Sequence, residues 1–310
     1  MSQLVVVGTV AFDAIETPFG QTDKILGGAA TYIGLAAARF NTEVGIVSVV
    51  GEDFPQEDLD MLAGHGIDLS GVEIVPGGKT FFWSGRYHND LNVRDTLVTE
   101  LNVLADFKPV VPEHFKSAEV LMLGNLHPQV QIDVIHQMAQ KPKMIILDTM
   151  NFWMNHTWDT LLEVIAMVDV ITINDEEARQ LSGQYSLVKA AAAIHQMGPK
   201  YVVIKKGEHG ALLFHNQQVF FAPALPLEDV FDPTGAGDTF AGGLAGFVSA
   251  TRGYTFEHLK TAIIQGSNLA SFCVEKFGTL RLEQLDEQER TQRLEQFKNL
   301  TQFDISLQGA

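Results

Sequence analysis

The densest run of chemically competent residues is Asp232-Pro233-Thr234-Gly235-Ala236-Gly237-Asp238-Thr239-Phe240-Ala241-Gly242-Gly243. It follows a strand-rich stretch and opens an apolar helix. Pro233 and the paired glycines permit a tight turn, so the N–H groups of Gly235, Ala236 and Gly237 are expected to converge on one point at the helix start. Such a point is an anion hole: donors fixed in advance stabilise the negative charge on a phosphoryl group in transfer without reorganising. Asp238, in the first helical turn, faces the same point, where a carboxylate can take the proton of an attacking hydroxyl, a step contributing on the order of 10²–10⁴ in rate. A plain glycine-rich helix cap, with Asp238 merely suiting the positive helix end, would explain the glycines. It would not explain why Asp232 and Asp238 flank them.

Other phosphate-binding patterns fit less well. Gly77-Gly78-Lys79-Thr80 ends like a P-loop, but Glu73 occupies the place of its first glycine and a strand follows instead of a helix. Gly8 stands alone after the first strand, so no dinucleotide fingerprint is present. The histidines show no paired metal spacing, and Cys273, among Ala270, Phe272 and Val274, reads as an inert core thiol.

The elements that must position the aspartates follow from periodicity. Leu4 to Val10 reads as a buried strand, Gly27 to Phe40 contains a small-residue helix, Val44 to Val50 is a second strand, and a helix runs from about Pro55 to His65. From Val72 to about Leu104, β-formers cluster around Gly77-Gly78 and His88-Asn89-Asp90 with no helix between. This predicts a small antiparallel sheet projecting from the main domain, with lid strands near 12–17 and 72–104, able to cover a site. Strands and helices alternate from Val120 to Lys205, the pattern of a parallel α/β sheet. A hairpin about Asn216-Gln217, two long helices and a polar, helix-prone tail after Arg281 complete the chain.

Composition bounds the partners. With 310 residues, 46% of them hydrophobic, the chain can bury a large core as one domain with a small appendage. Its 21 Lys plus Arg against 38 Asp plus Glu leave a formal charge of −17, which disfavours nucleic acid as a partner while leaving room for one locally positive pocket. No apolar run approaches the length of a membrane span. The Met-Ser-Gln start carries no basic leader and the single cysteine permits no intramolecular disulfide, so a cytoplasmic protein is expected.

The segment Asp232 to Gly243 resembles the C-terminal signature of the ribokinase/PfkB carbohydrate kinase family. Gly27-Gly28 followed by a small-residue helix resembles its N-terminal signature, and the likeness extends over the whole chain. The resemblance implies a ribokinase-like fold, a Rossmann-like three-layer α/β/α domain with a β-sheet lid, and a kinase using ATP and Mg²⁺. Asp238 falls on the family's catalytic base, Gly235, Ala236 and Gly237 on its anion hole, and Asp232 and Thr234 where relatives hold a monovalent cation such as K⁺. Asn174-Asp175-Glu176-Glu177 matches the family's Asn-x-x-Glu motif, which puts Asn174 at the phosphates and Glu177 at magnesium. Lys205-Lys206-Gly207-Glu208-His209-Gly210 resembles the nucleotide-side turn, with Lys205, Gly207 and Gly210 near ATP, and Asn268 is implied beside the adenine.

On the acceptor side the resemblance points to Asp13 for sugar hydroxyls and to Gly27 and Gly28 for close approach of the substrate. Tyr32 stands where ribokinases carry Asn, and the loop Leu123 to His127 lacks an acidic sugar ligand, which argues against ribose. Phe81, Phe82 and Trp83 are available to stack on a sugar or base, to pack between lid strands, or to join a homodimer through the lid. Arg86 and Arg94 face either a phosphate or solvent, and Asp148 and Asn151 border the cleft. The reading is an ATP-dependent kinase for a hydroxyl of a small sugar-like substrate, with a nucleoside kinase or a non-catalytic sugar or nucleotide sensor as alternatives.

Overall fold

Most of the short β-branched runs are buried on both faces, and they assemble into one large sheet; the computed structural model describes residues 3–302. In chain order the first strands are β1 (Leu4–Val7), β2 (Ala11–Thr17), β3 (Gly20–Gln21), β4 (Ile25–Gly27), β5 (Val44–Gly51), β6 (Ile67–Val75), β7 (Phe82–Tyr87) and β8 (Arg94–Glu100). They continue with β9 (Val120–Leu123), β10 (Met144–Asp148), β11 (Val170–Asn174), β12 (Tyr201–Lys205), β13 (Ala211–His215) and β14 (Gln218–Ala222). The helices are α1 (Ala29–Ala37), α2 (Gln56–Gly64), α3 (Pro128–Gln137), α4 (Asn151–His156), α5 (Trp158–Met167) and α6 (Asp175–Ser182). The last five are α7 (Leu187–His195), α8 (Ala236–Thr251), α9 (Phe256–Cys273), α10 (Leu280–Gln284) and α11 (Glu287–Thr301).

The large sheet has the order β14-β13-β12-β11-β10-β9-β1-β5-β6, parallel from β12 to β6, with β13 and β14 antiparallel at one edge. Alternate residues of one strand serve two cores. Val5, Val7, Leu121, Leu123, Ile145 and Leu147 pack with α3, α5, α6 and α7. Leu4, Val6, Val120, Met122, Met144 and Ile146 pack with α1, α8 and α9. Burial on both faces is why these strands read as continuous apolar runs, not as alternation.

Helix α8 lies unusually deep between α1 and α9. A Cβ on Gly242 would stand 2.4 Å from the Ile33 carbonyl oxygen and one on Gly246 2.7 Å from the Ala37 Cα, so the two backbones touch along a row of residues four apart. This contact fixes where the N-terminus of α8 points.

A smaller sheet runs β3-β2-β7-β8, with β4 on the other side of β2. The expectation that 72–104 belongs wholly to this sheet is corrected. Val72 and Ile74 lie on β6, which pairs in parallel with β5 in the large sheet, and Asn102–Asp106 form a 3₁₀ turn. β-propensity identifies a strand but not its partner, which here depends on the chain crossing α2 first. Nor is the small sheet purely antiparallel: β2 and β7 run parallel. Among the described residues no helix is long and apolar enough to cross a membrane.

Candidate active site

The last residues of three adjacent parallel strands are polar: Asp148 on β10, Asn174 on β11 and Lys205 on β12. Carboxyl ends of parallel strands are where open α/β sheets bind ligands. Lys205 Nζ donates to both oxygens of Asp148, at 3.2 and 3.1 Å, and the two side chains are only 16% and 7% exposed. Burial opposes the Lys205 charge, but Asp148, Glu177 and Asp238 outweigh it and raise its pKa. Burial likewise pushes the Asp148 carboxyl up, against the pull of Lys205.

Asn174 begins α6. Its Oδ1 accepts the Glu177 N–H and Glu177 Oε2 accepts the Asn174 N–H, each at 2.8 Å, a reciprocal capping box. The cap also sets the Glu177 carboxyl among the strand ends, where burial, partly offset by Lys205, pushes its pKa up to about 7. The Asn-x-x-Glu motif is thus at once a helix start and part of a charge cluster.

The glycine turn is held from three directions. Gly235 caps α8 in the left-handed region (φ 74°), and a Cβ there would meet the Tyr32 ring at 2.5 Å. Asp232 accepts the N–H of Thr234 at 2.8 Å on one oxygen and that of Gly278 at 2.9 Å on the other. Thr234 Oγ1 lies 3.2 Å from the Tyr87 hydroxyl of β7, which ties the turn to the lid. Gly235 and Gly237 present N–H groups that have no acceptor among the described residues. Ala236 corrects the expected trio: its N–H closes the turn on the Pro233 carbonyl at 3.2 Å. A Cβ on Gly237 would stand 3.2 Å from Lys205 Nζ, so the buried cation sits against the same turn.

Asp238, partly exposed in the first turn of α8, joins this cluster. Its pKa is pushed up to about 7, by loss of solvent and then by Asp148, against Lys205 and Arg94. A carboxyl poised near neutrality beside two free amides and a lysine can accept a proton while an anion is held in front of it.

Asp13, on β2, sits against Gly27, where a Cβ would stand 2.0 Å from its Oδ2. Burial, countered by a Gly28 N–H bond and reinforced by Asp232 and Asp238, pushes its pKa up to about 7. Gly28 caps α1 with φ 93°. In strand register Asp13 lies opposite Trp83 of β7, and Trp83 opposite Thr99 of β8. The Trp83 indole lies over Gly85, where a Cβ would be 2.1 Å from its ring, and its Nε1 donates to Thr96 at 3.3 Å. Cross-strand partners share a sheet face, so carboxyl and indole are side by side.

Two expected site residues are placed elsewhere. Tyr32 is 1% exposed behind the glycine turn, its hydroxyl without a hydrogen-bond partner among the described residues, and its ring supports Gly235. Asn268 is fully buried, its amide donating to the Arg290 carbonyl of α11 at 3.1 Å, so it is closed off from any adenine in this conformation. Gly207 and Gly210, both with positive φ, shape the 3₁₀ turn after β12, and a Cβ on Gly207 would stand 2.3 Å from Asn92 Oδ1 at the tip of the β7–β8 hairpin. Asp148 is central to the cluster, and its signal was a charged residue ending an apolar strand. Cys273 is buried and its thiol is pushed up to about 12, chiefly by burial, as an inert core thiol should be.

Residues 1–284 match the model of the pfkB family of carbohydrate kinases. The chain is 36% identical over 259 residues to the cytidine kinase of Thermococcus kodakarensis, covering 80% of this chain and 89% of that one. In fold it is similar to Burkholderia thailandensis nucleoside kinase in complex with inosine, with TM-score 0.77, 21% identity and coverage of 96% and 99% of the two chains. It is also similar to Salmonella enterica aminoimidazole riboside kinase complexed with aminoimidazole riboside and an ATP analog, with TM-score 0.71, 21% identity and coverage of 94% and 99%. A match spanning nearly the whole chain, on a ribokinase-like fold that gathers the signature residues at one end of its sheet, places this chain in the pfkB family of carbohydrate kinases, phosphotransferases with an alcohol acceptor.

Proposed function

We propose that the protein transfers the γ-phosphoryl group of ATP to a hydroxyl of a ribose-bearing acceptor, a nucleoside in preference to a free sugar. The observation that carries the phosphoryl transfer is the meeting of Asp238, the free Gly235 and Gly237 amides and Lys205 at one turn. The acceptor oxygen bonds to the γ-phosphorus as its proton passes to the Asp238 carboxylate. The bond from that phosphorus to the ADP oxygen breaks, its electron pair leaving on the β-phosphate. The two amides and Lys205 are aimed at the charge that spreads over the phosphoryl oxygens meanwhile.

The carboxyl set suits magnesium that arrives with the nucleotide. Magnesium bound through phosphates and waters needs only one or two protein carboxylates. Glu177, with Asp148 beside it, is the residue to hold it, and magnesium there supplies neutralisation of phosphate charge. At Asp232 and Thr234, the residues for K⁺, the contacts present are those of the loop itself. Both Asp232 oxygens already accept loop N–H groups, and the Thr234 hydroxyl is engaged with Tyr87.

The preference for a nucleoside rests on the Asp13–Trp83 pair. A carboxylate accepts two ribose hydroxyls well, and an indole beside it offers a face to the attached base, worth about 1–3 kcal/mol per stacked base. The relatives named for cytidine kinase activity and for an inosine complex fit the same reading. Steady-state assays over nucleosides and free pentoses test it. Trp83→Ala is expected to raise KM for the preferred nucleoside by roughly 5- to 150-fold while leaving a pentose unaffected. A free pentose with higher kcat/KM than every nucleoside would overturn the preference and keep the kinase.

The reading includes a homodimer through the lid, in a cytoplasm that supplies ATP and keeps Cys273 reduced. β8 is an edge strand exposed at every position, with Leu97 and Val98 46% and 40% exposed, and such edges are ordinarily covered. Light scattering at micromolar concentration is expected to give a dimer mass for the natural protein and a monomer mass for Val98→Lys. A monomer for both removes this part of the reading.

A further inference from the structure

We infer that Arg94 is a catalytic residue carried by the lid, and that its guanidinium contacts the phosphoryl group during transfer and balances the charge of the transition state. The inference rests on the kinase reading above and adds a residue that neither signature contains.

The β7–β8 hairpin is anchored twice, both times on loops beside the phosphate turn. At one point the buried Tyr87 hydroxyl lies 3.2 Å from Thr234 Oγ1. At the other, Asn92 packs on Gly207 in the turn after β12. The tip between them is ordered by Asp90, whose Oδ1 accepts both the Asn92 N–H and the Asn92 side-chain amide at 3.0 Å. Arg94 is the cross-strand partner of Tyr87 and lies two residues after Asn92. It therefore shares the face that Tyr87 turns toward the glycine loop. Its charge is felt at Asp238 and Glu177, two of the carboxyls that also act on Lys205.

The guanidinium has no ion-pair partner among the described residues, in contrast to Arg86, which holds Glu16 at 2.9 Å on the opposite lid face. The exposed Arg94 side chain lies over the Trp83 ring, with 5.9 Å from the guanidinium carbon to the centroid. Lys205 faces the turn but also donates to both oxygens of Asp148, so its single charge is shared between that carboxyl and an incoming phosphate. A triphosphate entering this cluster brings several negative charges to two amides and one shared lysine. A planar fork of N–H donors over the same point answers that deficit. Because the hairpin tip packs through Asn92 on the turn after β12 and the Arg94 charge acts on Asp238, the phosphoryl group in transfer is the anion favoured over a phosphate already carried by the acceptor.

Kinetics of Arg94→Met and Arg94→Lys test the inference, with Arg86→Met as a control for damage to the lid. Arg94→Met is expected to lower kcat on the order of 10²-fold, with KM for ATP and acceptor within about threefold. Added guanidinium at low millimolar concentration should restore part of that rate, and Arg94→Lys should lie between. Binding of MgADP with aluminium fluoride, followed by calorimetry, should weaken in parallel, while a non-hydrolysable ATP analogue binds as before. An unchanged kcat overturns the assignment, as does an equal loss in Arg86→Met. A loss confined to KM of phosphorylated acceptors overturns it in favour of the acceptor's own phosphate. If the natural protein transfers phosphate to no hydroxyl, the kinase reading has failed, which separates the two cases.

Discussion

Asp238→Asn is expected to lower kcat by on the order of 10²–10⁴ while leaving KM for ATP within about threefold, because the amide keeps the shape of the carboxyl but cannot accept the proton. The same group sets the pH dependence. With its pKa pushed up to about 7 in the free enzyme, kcat/KM should rise as pH passes through 7 and level off above it. Stability should move the other way. The unfolded carboxyl ionises near pH 4, so between about 4 and 7 the folded state binds the extra proton and is stabilised relative to its value at higher pH. Removing this ionisation at pH 8 is expected to raise Tm by roughly 2–5 °C, and the gain should vanish near pH 4. Retention of more than a tenth of kcat, or a Tm gain that ignores pH, would refute the role.

Lys205→Met should both abolish transfer and destabilise the fold, by about 3–5 kcal/mol at pH 8, because it leaves Asp148 charged and without its partner at 7% exposure. The loss should shrink toward pH 5 as the stranded carboxyl takes up a proton, burial having already raised its pKa. Adding Asp148→Asn removes the uncompensated charge and is expected to recover most of the stability with none of the activity. Urea denaturation of the single and double variants, alongside phosphoryl transfer assays, measures both parts. A single variant as stable as the natural protein would show that the pair behaves as if solvated.

The parts of the site legible in the chain were those made by neighbours. The reciprocal cap of Asn174 and Glu177 spans one helical turn, and the left-handed Gly235 with Asp238 behind it spans four residues. Strand ends were read almost to the residue at Met144–Asp148 and Tyr201–Lys205, because uninterrupted apolar runs stop where a charge begins. The resemblance to carbohydrate kinases rested on Asp232 to Gly243 and on Gly27-Gly28 before a small-residue helix, and the family match agrees with it.

Contacts between distant segments were beyond that reach. Tyr32 was assigned to the acceptor because it stands where ribokinases carry Asn, yet the glycine turn closes over its ring. Asn268 was a plausible adenine neighbour until α11 supplied a carbonyl from Arg290. Ala236 spends its N–H inside the turn, a choice between two nearby acceptors that spacing does not decide.

By itself the sequence determined most of the strands and helices, where the glycine turn lies and which carboxyl follows it in the first helical turn, since propensity, periodicity and capping operate over a few residues. Only the tertiary structure decided that β6 joins the large sheet, that Asp148 and Lys205 share a buried pair, and that Arg94 stands opposite Tyr87 in the lid. Those outcomes depend on which faces are buried together. Burial acts on the whole packed chain at once, so no local pattern of residues encodes it.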